Sequence, residues 1–87
     1  MWRDISVDFI VGLPESQGCK NIAVITDRLS KGVILEPMGE ITAVAFAKVF
    51  LRTFYRHYGL PHSIVSDRGQ QFVRSLWRRV CQLLEIV

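Results

Sequence analysis

Cysteine is scarce in this chain of 87 residues: Cys19 and Cys81 stand far apart, and neither belongs to a CxxC pair. No cysteine pair lies at finger-like distance from His57 and His62, so a zinc site is not expected. Free, buried or half-buried thiols in a reducing compartment are the expectation instead. No apolar run approaches the ~18 residues of a membrane span, and the N-terminus lacks the basic-then-apolar layout of a signal peptide. No membrane partner is expected, and a soluble intracellular protein follows by default. Repeats, low-complexity stretches and linkers are absent too. Acid is sparse in the second half: residues 1–40 carry four basic and six acidic side chains, residues 41–87 seven and two. The net charge of +3 is therefore concentrated in the half that reads as helical. That distribution suits a polyanionic partner, and equally suits two solvated helix faces.

What is present is apolar material, 49% of the chain, enough for a packed interior. A chain this short buries only roughly 60–65% of its unfolded surface, so its stability margin is thin. Ile5, Val7, Phe9 and Val11 alternate with Asp4, Ser6, Asp8 and Ile10, the period of a strand. Gly12, Pro14 and Gly18 make a loop. Asn21–Arg28 reads as a strand covered on both faces. Ser30–Gly32 turns the chain into a third strand, Val33–Glu36, closed by Pro37. Thr42 is placed to cap a helix running to about Tyr58. Its inner face is Ala43, Phe46, Ala47, Phe50, Leu51 and Phe54, with Lys48, Arg52 and Arg56 elsewhere on its surface. Gly59 and Pro61 end that helix. Ser63–Ser66 is a short fourth strand, and Gly69 permits a turn into a helix over roughly Ser75–Glu85. Its expected buried face is Phe72, Leu76, Val80, Leu83 and Leu84. Ile86 and Val87 look like the start of another strand. The order is βββαβα in one domain, residues 1–87.

Two acids stand out. Asp8 sits mid-strand between Val7 and Phe9, and Asp67 ends a strand just before a glycine turn. Charges are rare in such places unless paired or bound to a cation. Two carboxylates on neighbouring strands repel each other unless a divalent ion bridges them. Oxygen ligands of this hardness suit magnesium or manganese. Two such ions about 3.5–4 Å apart activate a nucleophile and stabilise the leaving oxygen of a phosphodiester. The bland alternative stays open: Asp8 pairs with an arginine and Asp67 caps its turn. Asp27 reads as a strand-end residue bonding nearby backbone groups. Trp2 and Trp77 read as packing residues rather than base-stacking platforms.

The stretches WRDISVDFIVGLPES with IAVITDRLSK, and HYGLPHSIVSDRGQQF with LWRRVCQLLEI, resemble the catalytic core of gypsy-type retrotransposon integrases of the retroviral integrase superfamily. The resemblance runs from Trp2 to the last residue. It implies a ribonuclease-H-like α/β fold in which the first strand is central and lies beside the fourth. It also implies that the acids of DFI and SDRG, here Asp8 and Asp67, are two members of an Asp, Asp, Glu metal-binding triad. The implied activity is metal-dependent polynucleotidyl transfer, joining retroelement DNA ends to target DNA in the nucleus, with RNA a further candidate ligand. Candidate nucleic-acid contacts are Arg68, Gln71, Arg74, Arg78, Lys48, Arg52 and Arg56, with a solvated loop and first helical turn the open alternative for Arg68, Gln71 and Arg74.

The chain departs from that pattern in one respect. The family's Glu lies a few dozen residues beyond the second Asp, and the one acid after Asp67 is Glu85. At about 1.5 Å per residue, Glu85 would stand roughly 15 Å from the helix start, too far to share a metal. The expectation is a βββαβα portion of a mixed sheet, with the fifth strand and later helices missing. Its metal site is incomplete and weak. The chain is expected to lack strand transfer alone and to self-associate through the exposed sheet edge. Two readings stand: part of a working integrase core, or an inactive retroelement remnant that binds nucleic acid or protein.

Overall fold

The computed structural model describes residues 2–84. Four strands, β1 (Asp4–Ile10), β2 (Asn21–Asp27), β3 (Val33–Met38) and β4 (Ser63–Ser66), form one sheet in the order β3-β2-β1-β4. β1 pairs antiparallel with β2 and β2 with β3, whereas β4 returns parallel to β1. The long helical stretch between β3 and β4 comprises α1 (Ala43–Phe50), a π-helical turn (Leu51–Tyr55) and α2 (Arg56–Tyr58). A final helix, α3 (Gln70–Leu83), follows β4. This is a mixed α/β fold with the order and strand directions expected of a ribonuclease-H-like portion. Glu85, Ile86 and Val87, expected to end the helix and begin another strand, lie outside the described residues.

The sequence periods account for most of this. Ile5 and Val7 on β1, Ala23 and Ile25 on β2 and Ile64 on β4 are buried beneath the helices. The opposite face is open, with Ile10, Val33, Leu35 and Val65 exposed. β2 is therefore covered on one face rather than two. Its apolar run reflects a central position, with Ile22 and Val24 half-buried between neighbouring strands. β3 continues through Pro37 to Met38, which is possible because β3 is an edge strand and needs no second row of donors. Between β1 and β2, Gln17 and Gly18 both take positive φ, 55° and 79°, inside a Ser16–Cys19 bridge. Positive φ at both central residues marks a two-residue hairpin turn of type I′.

Thr42 caps α1 as its sequence position suggests, its Oγ1 accepting from the Ala45 amide at 3.0 Å. Phe46, Phe50, Phe54 and Tyr58 form a ladder at four-residue spacing, with centroid distances of 6.1, 5.0 and 5.3 Å. Four-residue steps drift about 40° each around an α-helix of 3.6 residues per turn. The wider π turn offsets that drift and keeps Phe54 fully buried. Within it the Thr53 hydroxyl donates to the Val49 carbonyl at 2.7 Å. Trp2 closes the ladder, stacked on Tyr58 at 5.0 Å and edge-on to Phe54 at 5.8 Å. Trp77 also packs against the core, so both tryptophans are packing residues here.

α3 starts five residues before the expected Ser75. Gly69, at φ 93°, makes the turn complete in one residue, and the helix begins at once. Leu76 and Val80 are buried on its inner stripe, with Phe72, Val73, Trp77 and Leu84 packed beside them. Leu83, expected inside, is 42% exposed because it lies on the flank of that stripe in the last turn.

Asp27 is buried at the end of β2, where Oδ1 accepts from the Leu29 amide at 3.1 Å and Oδ2 from the Ser30 hydroxyl at 2.8 Å. It thus closes the turn into β3, as a strand-end acid should. The Ser30 bond holds its carboxyl below the usual range against the opposing effect of burial, with the Trp2 and Leu29 amides assisting. A depressed folded-state pKa contributes stability that is full above the unfolded value, about pH 4, and is lost as pH falls below it.

Two outcomes follow from this packing. Phe50→Ala should cost about 3–5 kcal/mol in urea melts, while Val44→Ala, at an exposed position, should stay within about 0.5 kcal/mol. Equal effects would contradict the assigned core. Asp27→Asn should lower the melting temperature at neutral pH, and its gap from the parent chain should close as pH falls from about 4 toward 2. A gap that stays constant over that range would show that the Asp27 carboxylate carries no folding free energy.

Candidate active site

The parallel pairing of β1 with β4 sets the site. Asp4 lies opposite Ser63, Ile5 opposite Ile64, Ser6 opposite Val65 and Val7 opposite Ser66. One further step brings Asp8 beside Asp67. Alternation along β1 puts Ile5 and Val7 under the helices and Asp8 on the open face. The backbone amide of Asp67 donates to Asp8 Oδ1 at 3.3 Å, joining residues 59 positions apart. Both acids are exposed. Neither is in a salt bridge among the described residues, so the alternative of an Asp8–arginine pair does not hold there.

The turn carrying Asp67 is built locally. Gly69 N–H donates to the Ser66 carbonyl at 3.1 Å, and Arg68 N–H to the Ser66 hydroxyl at 3.2 Å. Ser66, Asp67, Arg68 and Gly69 thus form a β-turn that presents Asp67 and Arg68 at its two central positions. At the other end of the same strand pair, the Ser63 hydroxyl donates to Asp4 Oδ1 at 2.6 Å. The Arg3 carbonyl accepts from the His62 and Ser63 amides at 2.6 and 3.2 Å. These bonds fix the register that sets the two acids side by side.

The hard oxygens of two exposed carboxylates at adjoining strand positions suit an oxygen-coordinated divalent ion. The pair is a partial ligand set: no group of three or more His, Cys, Asp or Glu that could hold a metal occurs among the described residues. The fit is therefore to an ion that keeps most of its shell as water.

The basic candidates divide into two groups. Arg68 adjoins Asp67 directly, and Gln71 lies exposed in the first turn of α3, with Arg74 and Arg78 exposed further along it. The earlier start of α3 places Gln71 and Arg74 on the helix rather than in the turn before it. Arg52 is drawn elsewhere: it pairs with Glu36 on β3 at 3.1 Å, across the sheet from β4. Lys48 and Arg56 share its helical stretch and are exposed. The structure thus sets Arg68 beside Asp67 and spreads Gln71, Arg74 and Arg78 along α3, but leaves Arg52 tied to Glu36 on the opposite edge strand.

One feature escapes a reading by sequence. The Arg68 guanidinium lies 5.3 Å from the Phe9 ring centroid and 6.0 Å from that of Phe72. The four-residue spacing from Arg68 to Phe72 was a usable signal, but an expected helix start at Ser75 hid it.

No family model matches the chain. It is 37% identical over 78 residues, 88% of its length, to the Transposon Tf2-3 polyprotein of Schizosaccharomyces pombe, and equally so to the Transposon Tf2-4 and Tf2-5 polyproteins of the same organism. The chain spans 6% of the length of these curated relatives. It is homologous to one region of a retrotransposon polyprotein.

Proposed function

We propose that this retrotransposon-polyprotein region is part of an integrase catalytic core, a divalent-metal-dependent polynucleotidyl transferase acting on DNA, with Asp8 and Asp67 as its metal-binding carboxylates. The observation that carries the reading is the contact from the Asp67 amide to Asp8 Oδ1, which makes one site from two distant acids. The polyprotein homology supports the same reading from an independent direction.

Magnesium or manganese held by these acids would supply activation of an attacking oxygen and stabilisation of the leaving oxygen at a phosphodiester. The chain's own residues have separable tasks. Asp8, fixed mid-strand between β2 and β4, gives the site a rigid member. Asp67 places the second carboxylate on a turn locked by Ser66 and Gly69. The exposed row of Gln71, Arg74 and Arg78 offers donors to the nucleic-acid backbone along about 10 Å of helix. The strand edges and open face leave room for a duplex to approach the acids. Such a substrate lies in the nucleus.

A second reading rests on the pair itself. Two carboxylates leave most of an octahedral magnesium shell to water, which favours binding without cleavage by this chain alone. On that reading the chain is a retroelement remnant whose basic surface still contacts DNA or RNA.

Both readings predict weak metal binding at one place. Manganese should bind with a dissociation constant on the order of millimolar. Asp8→Asn and Asp67→Asn should each abolish the binding heat in calorimetric titration, with the fold retained by circular dichroism. Wild-type binding in both variants would refute the assignment of these acids.

A further inference from the structure

Arg68 follows Asp67 directly in the turn that meets Asp8. A guanidinium on the carboxylate oxygens would occupy the positions a metal needs. Yet among the described residues the one salt bridge is Arg52 to Glu36. Arg68 lies instead over the rings of Phe9 and Phe72. We infer that Phe9 and Phe72 are positioning residues that hold the Arg68 guanidinium off the carboxylates and present it to a DNA phosphate beside them.

Three observations carry this. The aromatic platform is rigid: Phe9 and Phe72 meet edge-to-face at 5.8 Å, and Phe9 meets the buried Phe46 at 5.4 Å in the same manner. The platform is also on the correct side. Phe9 shares the helix-facing parity of Ile5 and Val7, whereas Asp8 faces the opposite way, so the rings draw the cation to the helix side of the strand end. Finally, Arg68 is exposed and borders a surface recess of about 250 Å³ that it shares with Phe9, Val11 and Asp67. A guanidinium stacked on a ring keeps its in-plane N–H donors free, and their fork matches a phosphate. Asp67 and the guanidinium then flank the recess, with a carboxylate for a cation on one side and donors for a phosphate oxygen on the other.

The inference rests on the proposed DNA-directed function, and one experiment separates the two. A fluorescein-labelled DNA duplex is titrated with the 87-residue chain by anisotropy across a salt series. Variants are Arg68→Ala, Arg68→Lys, Phe72→Leu, the Arg68→Ala/Phe72→Leu double variant and Lys20→Ala. Arg68→Ala should weaken binding and reduce the slope of log affinity against log salt by about 0.9, the loss of one phosphate contact. Arg68→Lys should weaken binding while keeping that slope. Phe72→Leu should cost about two- to five-fold, matching an exposed cation–π contact. The double variant should be no worse than Arg68→Ala, and Lys20→Ala should bind as the parent. The Arg68 side-chain NεH resonance should carry a ring-current shift that Phe72→Leu diminishes. If Phe72→Leu does not fold, Arg68→Lys and the NεH shift in the parent decide. Unchanged binding in Arg68→Ala, additive losses in the double variant, or an unshifted NεH resonance overturns the inference and leaves the metal site standing. Failure of the parent chain to bind DNA at any salt overturns the DNA-directed reading and the inference with it.

Discussion

Everything at the candidate site depends on one long-range strand pairing, the parallel contact between β1 and β4. Without it, Asp8 and Asp67 are unrelated acids 59 positions apart. With it, the Asp67 amide meets the Asp8 carboxylate at the end of the strand pair. Parallel pairing demands a crossover, and here that crossover is the helical stretch from Ala43 to Tyr58. The site is therefore only as well formed as the packing that brings this stretch across the sheet.

That packing is mostly aromatic. The ladder of Phe46, Phe50, Phe54 and Tyr58 lies along the crossover, and Trp2 ties its end to the start of β1. Phe9 and Phe72 extend the same cluster to the far end of β1, next to the acids. One continuous set of rings thus runs from the strand start to the strand end that carries the carboxylates. A thin core of this kind has little redundancy, so loss of one ring reaches the site through the register of β1 against β4.

Much of this was legible in the residues. Alternation along β1, the Thr42 cap, the Ser63–Ser66 strand and the strand-end role of Asp27 follow from period and local hydrogen-bonding chemistry. The parallel β1–β4 pairing did not follow from the sequence's own patterning, since no local signal specifies which strand a four-residue segment joins; it came from the resemblance to integrase cores. The start of α3 lies earlier than the apolar period implies, because the positive φ of Gly69 finishes the turn at one residue. Coverage of β2 was overstated because a continuous apolar run does not distinguish two covered faces from one covered face in a central strand. Lys48, Arg52 and Arg56 looked equivalent by spacing, and only the fold shows Arg52 turned to Glu36 at the opposite edge.

The central claim is that the β1–β4 pairing makes Asp8 and Asp67 a single cation site. Paramagnetic broadening maps it most directly: manganese is added to the isotopically labelled chain and amide intensities are followed across the sequence. The account predicts that the first signals lost cluster at both ends of the pair, around Asp8 and Phe9 and around Asp67 and Arg68. Tyr58, stacked on Trp2 at the opposite end of β1, should keep its signal. Broadening centred on other acids, or at Asp8 without Asp67, would contradict it.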